Sequence, residues 1–239
     1  NNIDAVYKKM QLKETDIEAI ITSVKIDAIE GMNVTVPFKK SVIPFVDELE
    51  YLAKKTQSVN TIYKKKDKII GDNTDVDGFK SALKHINYNI KGKKIFILGA
   101  GGVTSSIIIA LKTMGVSNII LSNRTIEKAK NLKKIYPYLD IVNWGDIKDF
   151  DVIINTTSLG LKENDKIKLN YAGIGTGKLF YDVIYKPQKT NFLLEAKKYG
   201  NQIENGKLMF AYQAQLAFKI WHGIKPAINK TALELLDND

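Results

Sequence analysis

The sequence predicts an α/β protein with a doubly wound parallel sheet and a second, smaller α/β domain. Apolar strand-like runs alternate with helical segments through the middle of the chain, and a glycine-rich turn follows the first of these runs. In the first third of the chain the predicted helices and strands follow each other in a different order. Strands that alternate with helices form βαβ units, whose crossovers are right-handed. A chain of 239 residues is long enough for two domains that each bury a core.

The middle region supplies the elements of the parallel sheet. Strands are predicted at KKIFIL, NIILSN, IVNW, DVIINTTS and KLFYDVIY, and helices at VTSSIIIALKTM, TIEKAKNLKKIY and QKTNFLLEAKKYG. The first of these helices is followed by Gly115, which is a usual helix stop. We therefore predict one domain over residues 77–205.

The first third and the tail are predicted to form the smaller domain together. The expected elements are a helix at TDIEAIITSVK, a strand at GMNVTV, a helix over residues 39–56 with a break at Pro44, and strands at SVNTIY and DKIIGDN joined by a lysine-rich hairpin turn. The tail, residues 206–239, is predicted to form two helices. We expect it to pack back on residues 1–76, so that this α/β domain is discontinuous and completed by the C-terminal helices.

Composition excludes several kinds of site. There is no cysteine and there are only two histidines, which excludes disulfides, a cysteine nucleophile and metal sites rich in thiolate or histidine. No apolar run approaches the roughly 20 residues of a membrane span, and there is no signal-peptide pattern. A cytoplasmic protein without a membrane partner is therefore expected, as a monomer or a homodimer.

The net charge of +10 raises the question of an anionic macromolecule as partner. Nucleic-acid binders usually gather arginine and aromatic side chains on one face. This chain has a single arginine, Arg124, and its lysines are spread along the whole sequence. We expect a solvated lysine-rich surface and no nucleic-acid partner.

A glycine-rich turn, ILGAGGVTS, lies directly between a predicted strand and a predicted helix. The first glycine of such a turn allows a tight bend, the second lets a pyrophosphate approach the backbone, and the amides of the helix start bind the phosphates. The third fingerprint position is Thr104 instead of Gly or Ala. A turn that binds nothing is the alternative. We predict a Rossmann-type dinucleotide site at Gly99, Ala100, Gly101, Gly102 and Val103.

The end of the next strand indicates which dinucleotide binds. NAD-binding folds usually place an acid there to hold the ribose 2′-hydroxyl. Here the strand ends in SNRT, which has no acid and contains the one arginine. A guanidinium fork suits the 2′-phosphate of NADP, and Asn123 and Thr125 can add hydrogen bonds. The sequence therefore favours NADP(H), held by Asn123, Arg124 and Thr125.

A lysine and an aspartate are candidates for proton transfer. Lys39 follows a predicted strand and Pro37, and Asp75 lies at the junction of the two halves. Hydride transfer to a ketone needs a proton delivered to the oxygen, and a lysine oriented by a carboxylate can supply it. The alternatives are a solvated lysine and an aspartate that caps a helix. Spacing alone does not show that the two side chains meet.

Eight short motifs, taken in order, resemble shikimate dehydrogenase: NVTVPFK, VNTIY, GDNTD, GAGG, NRT, INTTSLG, YDVIYKPQKT and YQAQLAFKIWHG. The similarity runs from about Asn33 to Gly223. It implies the NADPH-dependent, reversible reduction of 3-dehydroshikimate to shikimate, a step of aromatic amino-acid (chorismate) biosynthesis.

The resemblance also implies roles for individual residues. Lys39 matches the catalytic lysine and Asp75 its carboxylate partner. Thr35, Asn60 and Gln213 match ligands of the substrate hydroxyls, and Tyr185 matches a tyrosine at the substrate carboxylate. Asn155 and Thr156 match the strand end beside the nicotinamide, and the glycine loop and NRT match the cofactor site. A polyhydroxylated ring needs several amide and hydroxyl partners, which Asn33, Thr35, Asn60, Asn73 and Gln213 could provide.

One part of the family pattern is not found in this sequence. Family members begin with a strand and a Ser-x-Ser loop that binds the substrate carboxylate, and the chain starts at Asn1 after that place. An exposed sheet edge and weaker substrate binding are the expectations. Two alternatives stay open: a quinate/shikimate dehydrogenase of broader specificity, and a catalytically silent nucleotide-binding homologue or fragment.

Overall fold

A computed structural model describes residues 3–238 of the chain. Its larger sheet has six strands: β5 (Lys94–Leu98), β6 (Asn118–Ser122), β7 (Leu139–Val142), β8 (Val152–Asn155), β9 (Leu179–Asp182) and β10 (Gln202–Glu204). The smaller sheet has four: β1 (Gly31–Asn33), β2 (Glu48–Leu49), β3 (Thr61–Lys65) and β4 (Lys68–Asp72).

The larger sheet is parallel throughout, with spatial order β10-β9-β8-β5-β6-β7. Counted from β5, this is the 3-2-1-4-5-6 order of a Rossmann sheet. Leu98, at the end of β5, pairs with Ser122 on one side and with Asn155 on the other. The strand order therefore reverses between β5 and β8, where such sheets bind their ligands. The predicted α/β class and parallel sheet are confirmed.

The smaller sheet has the order β1-β3-β4-β2. β3 pairs antiparallel with β1 and β4, and β2 pairs parallel with β4. Lys65 lies opposite Lys68, so the turn between β3 and β4 has two residues, and Lys66 has a positive φ of 56°. The predicted lysine-rich hairpin is thus present.

Nine α-helices complete the described part of the chain: α1 (Ile17–Lys25), α2 (Tyr51–Thr56), α3 (Asp75–His85), α4 (Thr104–Thr113), α5 (Ile126–Ile135), α6 (Tyr171–Ile174), α7 (Asn191–Lys198), α8 (Lys207–His222) and α9 (Lys230–Asn238). Short 3-10 helices lie at Glu14–Asp16 and Ile43–Phe45.

The helices cover both faces of the larger sheet because successive strand residues point to opposite sides. In β5, Ile95 and Ile97 pack with α3, α4, α5 and α8 in one apolar cluster. Phe96 and Leu98 pack with α6 and α7 in a second cluster on the other face. A third cluster joins α1 to the smaller sheet through residues such as Ile17, Ile62 and Ile69.

The predicted long helix over residues 39–56 is wrong. Its first part forms turns and the 3-10 helix, with Pro44 in the first positions of that helix. The next residues join the sheet: the Asp47 amide donates to the Ile69 carbonyl at 2.9 Å and the Glu50 amide to the Gly71 carbonyl at 2.9 Å. Only α2 is helical. Strand pairing with β4 outweighs the helix propensity of this segment.

Helix α8 lies across both parts of the molecule. It packs on α3, where a Cβ on Gly78 would lie 2.9 Å from the Gln213 Cβ, so glycine permits the close crossing. At its other end, the Trp221 Nε1 donates to the Ile62 carbonyl of β3 at 3.2 Å. The tail therefore contacts the smaller sheet. The domain limits at residues 76/77 and 205/206 stay a prediction.

Three elements lie where neither a helix nor a strand was predicted: α3, α6 and β10. β10 is a three-residue strand with a polar end, and α6 has four residues, too short for a periodic pattern. α3 begins at Asp75 and positions that carboxylate, so its omission concerns the site directly.

Candidate active site

Lys39 and Asp75 meet in a buried ion pair. The Lys39 Nζ lies 2.6 Å from the Asp75 Oδ2, and the two side chains are 11% and 6% exposed. Lys39 follows the loop after β1, which contains a cis peptide bond between Val36 and Pro37, whereas Asp75 is the first residue of α3. The structure thus brings together two residues that are 36 positions apart.

Asn60 joins this pair to helix α8. Its Nδ2 donates to the Asp75 Oδ1 at 3.0 Å and to the Gln213 Oε1 at 3.3 Å. Its Oδ1 accepts from the Thr74 amide at 2.8 Å. Both the Nδ2 and the Oδ1 of Asn60 are therefore hydrogen-bonded. Asn60 binds one carboxylate oxygen of Asp75, and Lys39 binds the other.

The start of α3 stabilises the Asp75 carboxylate. A negative side chain at a helix N-terminus interacts favourably with the free amides and the helix dipole. The Asn73 Oδ1 accepts from the Asp75 amide at 3.1 Å and from the Val76 amide at 3.3 Å, which fixes the first turn. The Lys39 ammonium supplies the second source of positive charge.

Two further predicted substrate ligands, Thr35 and Tyr185, lie in different environments. Thr35 is exposed in the loop between β1 and Lys39. Tyr185 follows β9 and stacks on Phe210 of α8, with ring centroids 4.6 Å apart. The Gln213 Nε2 donates to the Phe210 carbonyl at 3.1 Å, so Tyr185 and Gln213 share this part of α8.

Two amides proposed as hydroxyl ligands have their hydrogen bonds made inside the protein instead. Asn73 is 1% exposed and bonds to Thr56, Ser58, Ser106 and the start of α3. Asn33 bonds to the Asn60 carbonyl, to Thr61 and to Tyr7. Sequence patterns show that an amide is present but not where its hydrogen bonds go. The prediction that Asn73 faces a substrate is not supported by its burial.

The glycine loop is shaped by close contacts with the end of β8. Gly99 has a φ of 107°, and a Cβ there would lie 2.8 Å from the Thr156 Oγ1, so both backbone and space require glycine. The Thr104 Oγ1 accepts from the Gly101 amide at 3.0 Å and lies 2.9 Å from the Thr156 Oγ1. Thr104, the departure from the fingerprint, thus stabilises the loop.

The cofactor loop opens into a cleft beside Lys39. A Cβ on Gly101 would meet only the Thr156 carbonyl oxygen, at 3.6 Å, so the backbone there is accessible. Val103 precedes α4, which starts at Thr104. The cleft has a volume of about 350 Å³, and its lining includes Lys39, Ala100, Gly101, Gly102 and Lys128. The predicted proton donor and the predicted phosphate loop therefore border one cleft.

The NRT segment follows β6 beside the glycine loop. The Asn123 Oδ1 accepts from the Ala100 amide at 3.0 Å, and its Nδ2 donates to the Thr125 carbonyl at 2.7 Å. Arg124 and Thr125 are exposed. Within residues 3–238, Arg124 forms no ion pair. Asn123 thus fixes the geometry, and the guanidinium is free for an anion.

Asn155 and Thr156 lie at the end of β8 with their side chains engaged. The Asn155 Nδ2 donates to the Leu159 carbonyl and to the Asp182 Oδ1, both at 3.0 Å. The Thr156 hydroxyl donates to the Leu98 carbonyl at 2.9 Å. Both residues therefore support the loops at the switch point, and their contact with a cofactor stays a prediction.

Asp182 is a buried carboxylate that is not among the predicted site residues. It accepts from Asn155, from the Ile184 amide at 3.0 Å and from the Thr190 hydroxyl at 2.7 Å. Burial raises the pKa of Asp182 to about 6, against the lowering effect of these three donors. The signal in the sequence was an acid inside the apolar run LFYDVIY.

Two other kinds of site find no support in residues 3–238. No group of three or more His, Asp or Glu side chains is placed to hold a metal ion. No helix there has the length and apolar character needed to cross a membrane.

Comparison with known proteins identifies the family. Residues 1–62 match the shikimate dehydrogenase substrate binding domain, and residues 80–163 match shikimate / quinate 5-dehydrogenase. The chain is 56% identical over 235 residues to shikimate dehydrogenase (NADP(+)) of Pelagibacter ubique strain HTCC1062, covering 98% of this chain and 89% of that protein. The chain belongs to the shikimate dehydrogenase family.

Solved shikimate dehydrogenases have the same fold. The crystal structure from Aquifex aeolicus superposes with a TM-score of 0.86 at 37% identity, covering 95% of this chain and 84% of that one. The structure from Thermus thermophilus, in complex with NADP(H) and shikimate, has a TM-score of 0.83 at 28% identity, covering 92% and 82%. The family and the two-domain Rossmann-type fold predicted from the motifs are confirmed.

The residues of this chain fit NADP(H). The glycine loop leaves its backbone accessible at Gly101, α4 presents its first amides behind that loop, and Arg124 has no carboxylate partner in the described residues. A pyrophosphate needs the first two features and a 2′-phosphate the third.

Proposed function

We propose that this protein catalyses the reversible, NADPH-dependent reduction of 3-dehydroshikimate to shikimate. It is an oxidoreductase that acts on a CH–OH group. The observation that supports this most directly is the Lys39–Asp75 ion pair, at 2.6 Å, on a cleft bordered by the glycine loop. Ketone reduction needs a proton donor and a hydride donor on one reacting carbonyl group, and this cleft has a place for each.

Lys39 is proposed as the general acid. Its ammonium gives a proton to the carbonyl oxygen of the substrate as negative charge develops there, and takes it back in the oxidation of shikimate. Asp75 holds the ammonium in place, and Asn60 fixes the other oxygen of Asp75 at 3.0 Å. The donor is thereby oriented before the substrate binds, which lowers the cost of reaching the reactive geometry.

The substrate is proposed to contact side chains from several segments. Asn60 and Gln213, which already bond to each other at 3.3 Å, would exchange that contact for substrate hydroxyls. Thr35 supplies a hydroxyl from the loop before Lys39, and Tyr185 meets the carboxylate end. Sites built to bond hydroxyls discriminate strongly against analogues that lack them.

NADP(H) is proposed to bind through the loop Gly99–Val103 and the start of α4, with Arg124, Asn123 and Thr125 at the 2′-phosphate and Asn155 and Thr156 beside the nicotinamide. When bound, it supplies the hydride. Thr104 and Asn123 hold the loop in shape through the bonds to Gly101 and Ala100. Because these bonds engage the Ala100 and Gly101 amides, the phosphates would meet the amides that follow them in the loop and at the start of α4.

The proposal includes a division of the chain and a setting. Residues 1–76 and 206–239 would bind the substrate and residues 77–205 the cofactor. The enzyme would act in the cytoplasm as a monomer or homodimer, with small molecules and no nucleic acid or membrane as partners.

The test is NADPH formation followed by absorbance with shikimate and NADP⁺. Turnover is expected with this pair, and much less with NAD⁺ because Arg124 has no 2′-phosphate to bind. Quinate in place of shikimate distinguishes a strict enzyme from a broader quinate/shikimate dehydrogenase. No turnover at saturating shikimate and NADP⁺ would contradict the proposal, and NADP⁺ binding without turnover would favour the silent homologue.

A further inference from the structure

Asn73 stands between the acid–base pair and the cofactor helix. It is 1% exposed, although its sequence position, two residues before Asp75, suggested a ligand-facing amide. Its Oδ1 accepts from the amides of Asp75 and Val76 at 3.1 and 3.3 Å. Asn73 thus fixes the backbone of the first turn of α3, whereas Asn60 and Lys39 hold the carboxylate that this turn carries.

The other end of the Asn73 amide connects to three segments, one of which is α2, where the Thr56 Oγ1 accepts at 3.2 Å. The Asn73 Nδ2 also donates to the Ser58 carbonyl at 2.8 Å, in the segment that leads into Asn60, and to the Ser106 Oγ at 3.0 Å. Ser106 is fully buried in α4, the helix that begins behind the glycine loop. Ser58 makes a parallel connection, because its hydroxyl donates to the Gly102 carbonyl at 3.3 Å.

These contacts form a short chain of buried bonds from the glycine loop and α4 to Asp75. Buried networks in which every member is bonded hold their parts rigidly, and an unmade bond there is costly. Rate in a proton transfer depends on sub-ångström placement of the donor. A residue that fixes Asp75 against α4 therefore also fixes Lys39 against the bound cofactor.

We propose that Asn73 is a positioning residue which, through Ser106, fixes Asp75 and hence Lys39 relative to the cofactor helix. The inference rests on the proposed function for its kinetic consequence. Its structural consequence is independent of the proposed function, because the Lys39–Asp75 pair is a contact between two side chains of the protein itself.

The main experiment compares Asn73→Ala with Asn201→Ala. Asn201 is a matched control, because it too is a buried asparagine that accepts from an amide (Lys178, 3.0 Å) and donates to a carbonyl (Gly175, 3.0 Å). Both variants should lose thermal stability. Only Asn73→Ala should lower kcat, by about 10- to 100-fold, and raise the solvent deuterium isotope effect on kcat, because proton delivery becomes slower.

Ser106→Ala isolates the connection to α4 and leaves a good helix former in place. We expect a several-fold fall in kcat with KM for shikimate little changed. Because Ser106 is proposed to act through Asn73, the double variant should be no slower than Asn73→Ala alone. Asn201→Ala combined with Ser106→Ala should show independent effects.

A readout without turnover separates this inference from the proposed function. The ammonium protons of Lys39, shielded from water in the ion pair, should give a ¹⁵N-correlated NMR signal that Lys39→Arg removes. The signal should weaken or vanish in Asn73→Ala and persist in Asn201→Ala. An inactive wild type would contradict the proposed function alone. The inference is overturned if Asn73→Ala keeps this signal and, in an active enzyme, the wild-type kcat.

If Asn73→Ala does not fold, Ser106→Ala decides. A Ser106→Ala protein that matches the wild type in kcat, isotope effect and ammonium signal would overturn the connection to α4.

Discussion

The acid–base centre and the cofactor loop are built in opposite ways. Four separate segments supply Lys39, Asn60, Asp75 and Gln213, and these residues meet through side chains that are buried or, for Gln213, half-buried. The cofactor loop instead gathers the ends of the adjacent parallel strands β5, β6 and β8, and offers backbone groups. The first arrangement depends on long-range packing, whereas the second follows from sheet topology and local turn chemistry. Variants in the acid–base centre should therefore lose catalytic rate, whereas variants in the cofactor loop should lose affinity for the cofactor.

The largest effect is expected from Lys39→Ala. Removing the proposed proton donor should lower kcat by about 10²- to 10⁴-fold, with NADP⁺ affinity unchanged because the glycine loop is untouched. Steady-state kinetics and NADP⁺ titration measure the two quantities. Lys25→Ala, at an exposed lysine of α1, is the control. A near-normal kcat in Lys39→Ala would contradict the assignment of Lys39 as the proton donor, and with it the chemical difference between the two regions.

Arg124→Ala tests the other region by its choice of cofactor. Loss of charge-assisted bonds to a 2′-phosphate, worth about 1.5–3 kcal/mol, should weaken NADP⁺ binding roughly 10- to 100-fold. Activity with NAD⁺ should change little. Measuring kcat/KM with both cofactors gives the ratio, and Lys134→Ala at the end of α5 controls for general charge. An equal loss with both cofactors would show that Arg124 supports the loop instead.

Two glycines of the cofactor loop separate folding from binding. In Gly99→Ala the positive φ and the 2.8 Å approach to Thr156 should lower the free energy of unfolding by about 1–3 kcal/mol. Gly101→Ala has room for its methyl group, so stability should hold while NADP⁺ affinity falls several-fold. Denaturant unfolding and NADP⁺ titration distinguish them. Equal losses of stability in Gly99→Ala and Gly101→Ala would mean that both glycines are needed for folding and that neither is specific to ligand binding.

The smallest effect is a pH dependence of stability from Asp182. Its folded-state pKa of about 6 lies above the ordinary 3.8, so the native state binds more protons between these values. That contribution to stability is complete below the ordinary pKa and is lost as pH rises through about 6. Between pH 5 and 7 the loss is about 1 kcal/mol.

Asp182→Asn should remove that pH dependence, as urea unfolding at pH 5 and 7 would measure. Asp67→Asn, in the exposed hairpin turn, should keep it. A slope in Asp182→Asn equal to that of the wild type would assign the dependence to another group.

Local sequence patterns predicted the elements that have a periodic spacing of apolar residues or that end at a glycine or another turn residue. The alternation of β5 to β9 with α4, α5 and α7 indicated the parallel sheet, and Gly99, Gly101 and Arg124 marked its ligand edge. The prediction of a helix over residues 39–56 was wrong because sheet pairing of Asp47–Glu50 with β4 outweighed a helical composition. β10 was missed because three residues are too few for a period.

The sequence by itself determined the parallel sheet, the cofactor edge and the family, because strand periodicity, turn glycines and motif order are local properties. Only the tertiary structure decided that the Lys39 ammonium meets the Asp75 carboxylate, that Asn60 binds Gln213, and that Asn73 faces α4 instead of a ligand. The physical reason is that a polar side chain takes its hydrogen-bond partners from whatever the fold packs around it, and those partners lie 33 to 153 residues away.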